Sequence, residues 1–380
     1  MTAGTVLNSL LGLAFYVLLA RYLGVEKFGY FSYLLGLGIM AAEIGDLGFG
    51  SAMLRFGTGE KFSEIFTLTF LARGLVCVGL VLVFSFPAYI FDHQLIYGAE
   101  VGGVVLFTYL ITQSLVAKQR YGWYAAGNIF GNIFRLGLLA LLIFFNLLTP
   151  LAATQIYVLG LGLTSLIGLI VIRPKINLRG ALALIPEAWQ FNKNIALSYG
   201  MASIGAKIDI PILYTLAGPA AAGIYSSAQK LVSVLPQVAG AVEGVFATKF
   251  SDANTYRQYF YEYLRVVTIL CIGVLGAMLF APIIVPLFFG NKYLDSIGVF
   301  QVLLFGIVFF FFSGPPAAAI LYRYSKPSCH LFNSALGLGV SLVAYFILIP
   351  SLGPTGAGWA FVIASAVVMV ANYLWLKFIR

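Results

Sequence analysis

An all-α, polytopic membrane protein of about twelve transmembrane helices in two six-helix lobes is what this sequence specifies. Three observations carry that reading. Of the 380 residues, 61% are hydrophobic and only 9% are charged, against about 25% charged in an ordinary soluble domain. Apolar runs near the ~20 residues that cross a bilayer recur along the whole length. They are continuous rather than alternating, which disfavours a β-barrel. Finally, Gly24, Gly29, Ser32 and Cys77 reappear as Gly218, Gly223, Ser226 and Cys271, all at an offset of 194 residues. Self-similarity of this kind marks a duplicated unit. In a membrane protein it points to a transporter built from two halves around a central site.

The spans are expected at 3–20, 28–48, 65–86, 101–117, 124–146, 151–172, 194–216, 220–247, 262–288, 297–321, 328–349 and 355–376. The first turn is Leu19-Ala-Arg-Tyr-Leu-Gly-Val-Glu-Lys-Phe-Gly-Tyr-Phe-Ser32. Gly24 suits the left-handed position just past a helix end, and Gly29 lets the next helix begin close to its neighbour. A degenerate copy, Leu213 to Ser226, joins spans seven and eight. Spans five and six pair with eleven and twelve. Asn132-Ile-Phe-Arg-Leu-Gly resembles Asn333-Ser-Ala-Leu-Gly-Leu, and Pro150 and Pro354 mark the turns that follow. The lobes are therefore 1–172 and 194–380, with an inter-lobe linker at 173–193. The linker carries Ala181-Leu-Ala-Leu-Ile-Pro-Glu-Ala-Trp189. It is either a short amphipathic helix along the membrane surface or an ordinary linker with an apolar patch. Pro211 removes a backbone bond and crowds the carbonyl of Lys207, so span seven is expected to bend there. Glycines inside spans, such as Gly36-Leu-Gly38 and Gly160-Leu-Gly162, read as close helix packing.

The net charge is +9. Most bases fall in short loops, so membrane topology explains them better than nucleic acid does. With the N-terminus inside, cytoplasmic segments hold fourteen Lys and Arg, from Arg55 to Arg380. The outer loops hold three, Arg21, Lys27 and Lys292. This bias puts both termini on the cytoplasmic side of the plasma membrane. The N-terminus is apolar by Ala3 and lacks the basic region of a signal peptide, leaving room for a short leader before it. Cys77, Cys271 and Cys329 form neither a disulfide framework nor a metal site. His93 and His330 are isolated, and no Walker motif occurs. No catalytic residue, metal or cofactor is expected.

Nine charged residues fall inside the spans: Arg73, Arg135, Lys207, Lys230, Arg265, Glu43, Asp46, Asp209 and Glu243. Each costs roughly 2.5–3.5 kcal/mol at a helix centre, so each needs water or a partner. At about 1.5 Å per residue, Arg135, Lys207, Asp209 and Lys230 lie near mid-bilayer, with a net charge of +2. Glu43, Asp46, Arg73, Glu243 and Arg265 lie toward the cytoplasmic third and read as an ion-paired cluster. Glu43 and Asp46 are three apart and share a helix face, with Arg73 within reach. The functional reading is a cavity with a cationic middle that attracts phosphate. Glu43, Asp46 and Arg73 would form its inner gate. The plainer reading is a set of structural ion pairs. Lys207 and Asp209 are two apart and make poor partners for each other.

Leu19-Ala-Arg-Tyr-Leu-Gly24 with Phe28-Gly29, and Asp46-Leu-Gly48 leading to Arg55, resemble the Wzx-type polysaccharide flippases. Gly223-Ile-Tyr-Ser-Ser-Ala-Gln-Lys-Leu231, after Asp209, is similar to the opening of their second half. These proteins belong to the multidrug/oligosaccharidyl-lipid/polysaccharide (MOP) exporter superfamily. The likeness spans the chain in topology and is motif-level at four or five places. It implies a MATE-like fold, a basic central cavity and alternating access of the lobes. It also implies a substrate: a polyprenyl-pyrophosphate-linked oligosaccharide moved between leaflets of the plasma membrane for surface polysaccharide biosynthesis. Arg135, Lys207, Lys230 and Asp209 would bind it, with Arg21 at the outer mouth. Partners would be membrane lipids, a polysaccharide polymerase and glycosyltransferases. The position after Asp209, often basic in relatives, is Ile210 here, so Lys207 would substitute. The chain is also short for the superfamily.

Three rivals remain. A cation-coupled multidrug antiporter of the same superfamily would need a cavity dominated by acids. A membrane glycosyltransferase or polymerase would need a larger outer loop than residues 86–102, which carry Asp92, His93 and Glu100. A non-transporting scaffold would tolerate loss of the mid-depth charges.

Overall fold

The computed structural model of the chain describes residues 2–247, 249–251 and 256–379. Arg380, counted above among the cytoplasmic bases, lies outside them. Fourteen α-helices follow in order. They are α1 (Thr2–Leu23), α2 (Val25–Gly45), α3 (Phe49–Phe56), α4 (Phe62–Ile90), α5 (Ile96–Ala117), α6 (Tyr121–Phe144) and α7 (Pro150–Ile172). Then come α8 (Leu178–Lys207), α9 (Asp209–Val232), α10 (Val234–Ala247), α11 (Tyr256–Leu279), α12 (Ala281–Phe289), α13 (Ser296–Ala318) and α14 (Pro327–Ile379). No strand occurs among the described residues.

Among the described residues, nine segments are long and apolar enough to span a membrane, and Leu7–Leu23 is a shorter tenth. Two of the nine are double length. Ser203–Phe246 has 44 residues and Ser328–Ile379 has 52, or about 66 and 78 Å at 1.5 Å per residue. A hydrocarbon core is only about 30 Å thick. Each of these segments contains a backbone break, at Gly218 (φ 84°, ψ 177°) and at Gly353 (φ 57°, ψ −132°). Split there, the described segments make twelve passes, the number expected from the apolar runs.

The chain divides into two compact units, residues 1–23 with 30–208, and residues 24–29 with 209–380. In the first, α5 packs on α4 and α7, α6 packs on α7, and α1 packs on α6. The Thr149 hydroxyl caps α7 by accepting from the Ala152 amide at 3.1 Å, and Pro150 fills the first turn, where no N–H is needed. In the second, α14 packs on α13 and α9, and α11 packs on α13.

The repeat is visible in the backbone. Gly24 and Gly218 both have positive φ, 78° and 84°, as the left-handed position requires. The two copies of the turn lie against each other within the second unit. A Cβ on Gly29 would meet the Pro219 carbonyl, and one on Gly223 would meet the Val25 carbonyl.

The segment expected as a linker at 173–193 is helical from Leu178 and continues unbroken as α8 to Lys207. The Asn177 side chain starts it by accepting from the Gly180 amide at 3.0 Å. Ala181, Leu184 and Ala188 are buried in a core with Phe62, Leu115 and Ile172. The division by contacts falls between Ile208 and Asp209. Pro211 does not bend a continuous helix at Lys207. Instead α8 ends there, and Pro211 sits in the first turn of α9, where its missing N–H costs nothing.

Candidate functional site

Charged and phenolic side chains gather in each unit, and the two groups are taken separately. In the first unit, Asp46 lies just past α2 and ahead of α3. One of its oxygens accepts from the Gly50 amide at 3.1 Å. The other forms an ion pair with the Arg73 guanidinium on α4. Arg73 is 3% exposed and has two further acceptors on α5, the Gln113 side-chain oxygen at 2.8 Å and the Leu106 carbonyl at 3.2 Å. A buried guanidinium is costly to keep unless its N–H donors find acceptors. Here a carboxylate, an amide and a carbonyl serve, leaving Nε without a partner.

Glu43, one turn earlier on α2, accepts from the Tyr109 hydroxyl at 3.4 Å. Its charge also reaches Tyr157 on α7. Tyr157 and Tyr16 of α1 lie near each other and near Arg135. The Arg135 guanidinium sits 4.7 Å from the centre of the Tyr157 ring, a cation–π contact. Arg135 is buried, and among the described residues no carboxylate pairs with it. Its arm runs over Gly160, where any Cβ would collide with it. The Gly160-Leu-Gly162 pattern therefore makes room for a side chain as well as for a helix. Beside it, the Asn132 amide donates to the Asn8 side chain at 2.6 Å and ties α6 to α1.

In the second unit, Asp209 opens α9, where a carboxylate suits the positive helix end. It is 4% exposed. It accepts from its neighbour's amide, Ile210 N, at 2.8 Å, from the Tyr225 hydroxyl at 2.8 Å and from the Gln229 amide at 2.5 Å. Lys230, in the last turn of α9, lies in its field, as does Tyr345 on α14. Asn333 donates to Asn372, and Asn372 to Ser313, each at 2.7 Å, binding the two halves of α14 to α13.

The expected residues therefore sort as follows. Asp46 and Arg73 are brought together as a pair, and Glu43 stands beside them on Tyr109. Glu243 and Arg265, grouped with them by depth, belong to the second unit; Glu243 lies in the field of His330, and Arg265 is exposed. Arg135 joins a tyrosine cluster. Asp209 and Lys230 share one helix. Lys207 is half-buried at the end of α8 and makes no ion pair among the described residues. Arg21 is exposed in the last turn of α1. Reading by charge missed Tyr16, Tyr109, Gln113, Tyr157, Tyr225, Gln229 and Tyr345. The polar run Thr112-Gln113-Ser114 inside an apolar span is the one signal that could have found any of them.

Among the described residues the chain is all-helical and makes twelve passes, the architecture of a polytopic membrane protein. Solved structures of this kind match it over nearly its whole length. The lipid II flippase MurJ in an inward closed conformation superposes with a TM-score of 0.82 at 14% identity, covering 99% of this chain and 87% of MurJ. The inward-facing conformation of a multidrug resistance MATE family transporter gives 0.77 at 17% identity, covering 98% and 94%. A MOP superfamily transporter from Pyrococcus furiosus gives 0.65 at 16%, covering 99% and 92%. The fold is that of the MOP superfamily. No curated protein matches by sequence. The profile of the polysaccharide biosynthesis protein family matches residues 1–247, and the chain belongs to that family.

Proposed function

We propose that this protein is a flippase for polyprenyl-pyrophosphate-linked oligosaccharide, working by alternating access in the plasma membrane to supply surface polysaccharide biosynthesis. The observation that carries the reading is Arg135. A buried guanidinium with no carboxylate beside it is expensive to keep, and it cannot shed its charge. An anion that arrives and leaves is the economical partner for it. Pyrophosphate matches its forked donors, and the hydroxyls of Tyr16 and Tyr157 supply hydrogen bonds for sugar. Lys207, Lys230, Asp209 and Arg21 would serve the same substrate further along its route. The Asp46–Arg73 pair, with Glu43, would act as the gate. Membership of the polysaccharide biosynthesis family supports the reading, as does the likeness in fold to a lipid II flippase. It places both termini in the cytoplasm, in a chain of two lobes joined through 173–193. Glycosyltransferases that build the lipid-linked sugar and a polymerase that consumes it would be its partners.

The test is transport of a lipid-linked oligosaccharide by Arg135→Ala and Lys207→Ala variants at normal expression. A charge-assisted hydrogen bond lost to either substitution is worth about 1.5–3 kcal/mol, so transport should fall at least tenfold. Full activity in both variants would overturn the reading.

One observation favours a second reading, a cation-coupled multidrug antiporter. Glu43 is a half-buried carboxylate whose hydrogen bond is to the Tyr109 hydroxyl, a setting in which it could hold a cation. Export of cationic drugs that depends on Glu43 and not on Arg135 would select it.

A further inference from the structure

The first half of α8 presents a surface that transport does not use. One side is fixed to the protein: Ala181, Leu184 and Ala188 are 0%, 4% and 2% exposed. The core beneath is built partly from the ends of spanning helices, Phe62 at the start of α4, Ala117 at the end of α5 and Ile172 at the end of α7. Helix ends mark the level where hydrocarbon gives way to headgroups. This half of α8 is therefore held at the membrane–water boundary.

A second apolar stripe has no protein over it. Leu178, Leu182, Ile185 and Trp189 are 55%, 63%, 43% and 63% exposed. At about 100° per residue they fall within roughly 60° of the helix circumference, about a quarter-turn from the buried side. Lys193 and Arg179 flank the stripe on its far edge, and Arg173 and Lys175 precede the helix; all four are exposed. The only acid between 173 and 193 is Glu187. It faces away from the stripe and is engaged by Lys61 at 2.9 Å. An apolar stripe with a tryptophan, rimmed by uncompensated bases, has the chemistry of a helix lying in an anionic leaflet.

We propose that residues 173–193 form a binding surface for anionic phospholipid, with the Leu178–Trp189 stripe among the acyl chains and the four bases on the headgroups. The proposal is independent of the transported substrate. Each base near such a surface favours anionic over neutral lipid by roughly fivefold, so the four together select the headgroup rather than merely tolerate it.

The experiment uses the full chain in nanodiscs of mixed phosphatidylcholine and phosphatidylglycerol, with Trp123, Trp359 and Trp375 changed to Phe so that Trp189 alone reports. In one sample only the phosphatidylglycerol carries brominated chains, and in the other only the phosphatidylcholine does. At equal mole fraction, brominated phosphatidylglycerol should quench Trp189 at least twofold more strongly. R173Q/K175Q/R179Q/K193Q should remove the difference and leave the quenching itself. If the three Phe changes prevent folding, a fluorescent label on Leu182→Cys, with Cys77, Cys271 and Cys329 changed to Ser, gives the same comparison when the phosphatidylglycerol or the phosphatidylcholine carries a spin-labelled chain. Failure of both lipids to quench would overturn the proposal, since the stripe would then lie in water or under a protein. Equal quenching by both lipids, unmoved by the substitutions, would overturn it as well.

Discussion

Arg73 and Arg135 are both buried in the first unit, and they meet the cost of burial in different ways. Arg73 is closed off by Asp46, Gln113 and the Leu106 carbonyl. Arg135 sits over the Tyr157 ring and has no carboxylate partner among the described residues. Removing one partner of a buried pair strands the other, at about 3–5 kcal/mol, whereas replacing both with apolar groups can cost little. Arg73→Met should therefore lower thermal stability in detergent more than the Arg73→Met/Asp46→Leu double variant does. A double variant as damaged as the single would contradict this. Gly160→Ala should cut transport tenfold or more by pushing the Arg135 arm aside. Gly162→Ala, whose added Cβ meets nothing within 4 Å, should leave transport unchanged; equal effects of the two would refute that role for Gly160. The Asp46–Arg73 pair was legible in the sequence because an isolated charge in an apolar run demands a partner within reach. The tyrosines were not. A phenol counts as apolar bulk in a chain with 22 tyrosines, and only the fold says which hydroxyls converge.

Among the elements, the turn after α1 and the break within α9 are the same device at equivalent positions. Gly24 and Gly218 hold positive φ with open space where a Cβ would go. The cost of substitution is therefore backbone strain alone, about 1–2 kcal/mol for an L-residue. Gly24→Ala and Gly218→Ala should each lower thermal stability by an amount of that order, and Gly24→Asn by less. Steric crowding cannot account for such losses, so stability unchanged by either Ala variant would show that the left-handed geometry is not needed. The extent of α8 was hidden from the sequence. Residues 181–189 read as either a short amphipathic helix or a linker with an apolar patch, while the buried face of Ala181, Leu184 and Ala188 exists only once α3, α4 and α5 are in place. Its exposed ion pair, Lys61 with Glu187, has side chains 52% and 53% accessible, and such pairs contribute at most about 1 kcal/mol.

Across the whole molecule, the framework is duplicated and the chemistry is not. At the 194-residue offset, Glu43 corresponds to Gln237, Asp46 to Gly240 and Arg73 to Val267, and in the Asn132/Asn333 match Arg135 corresponds to Leu336. The turn glycines recur, whereas the buried charges lie in one half or the other. This is why span number and repeat could be read from apolar runs and glycine spacing, while the grouping of side chains required the fold. Anion recognition by Arg135 carries the functional reading, and equilibrium binding to the full chain in nanodiscs tests it. The ligands are a polyprenyl pyrophosphate and the matching uncharged polyprenol. The native chain should prefer the pyrophosphate at least tenfold, Arg135→Lys should keep part of that preference, and Arg135→Ala should lose it. An Arg135→Ala chain that binds the pyrophosphate as tightly as the native one would contradict the assignment.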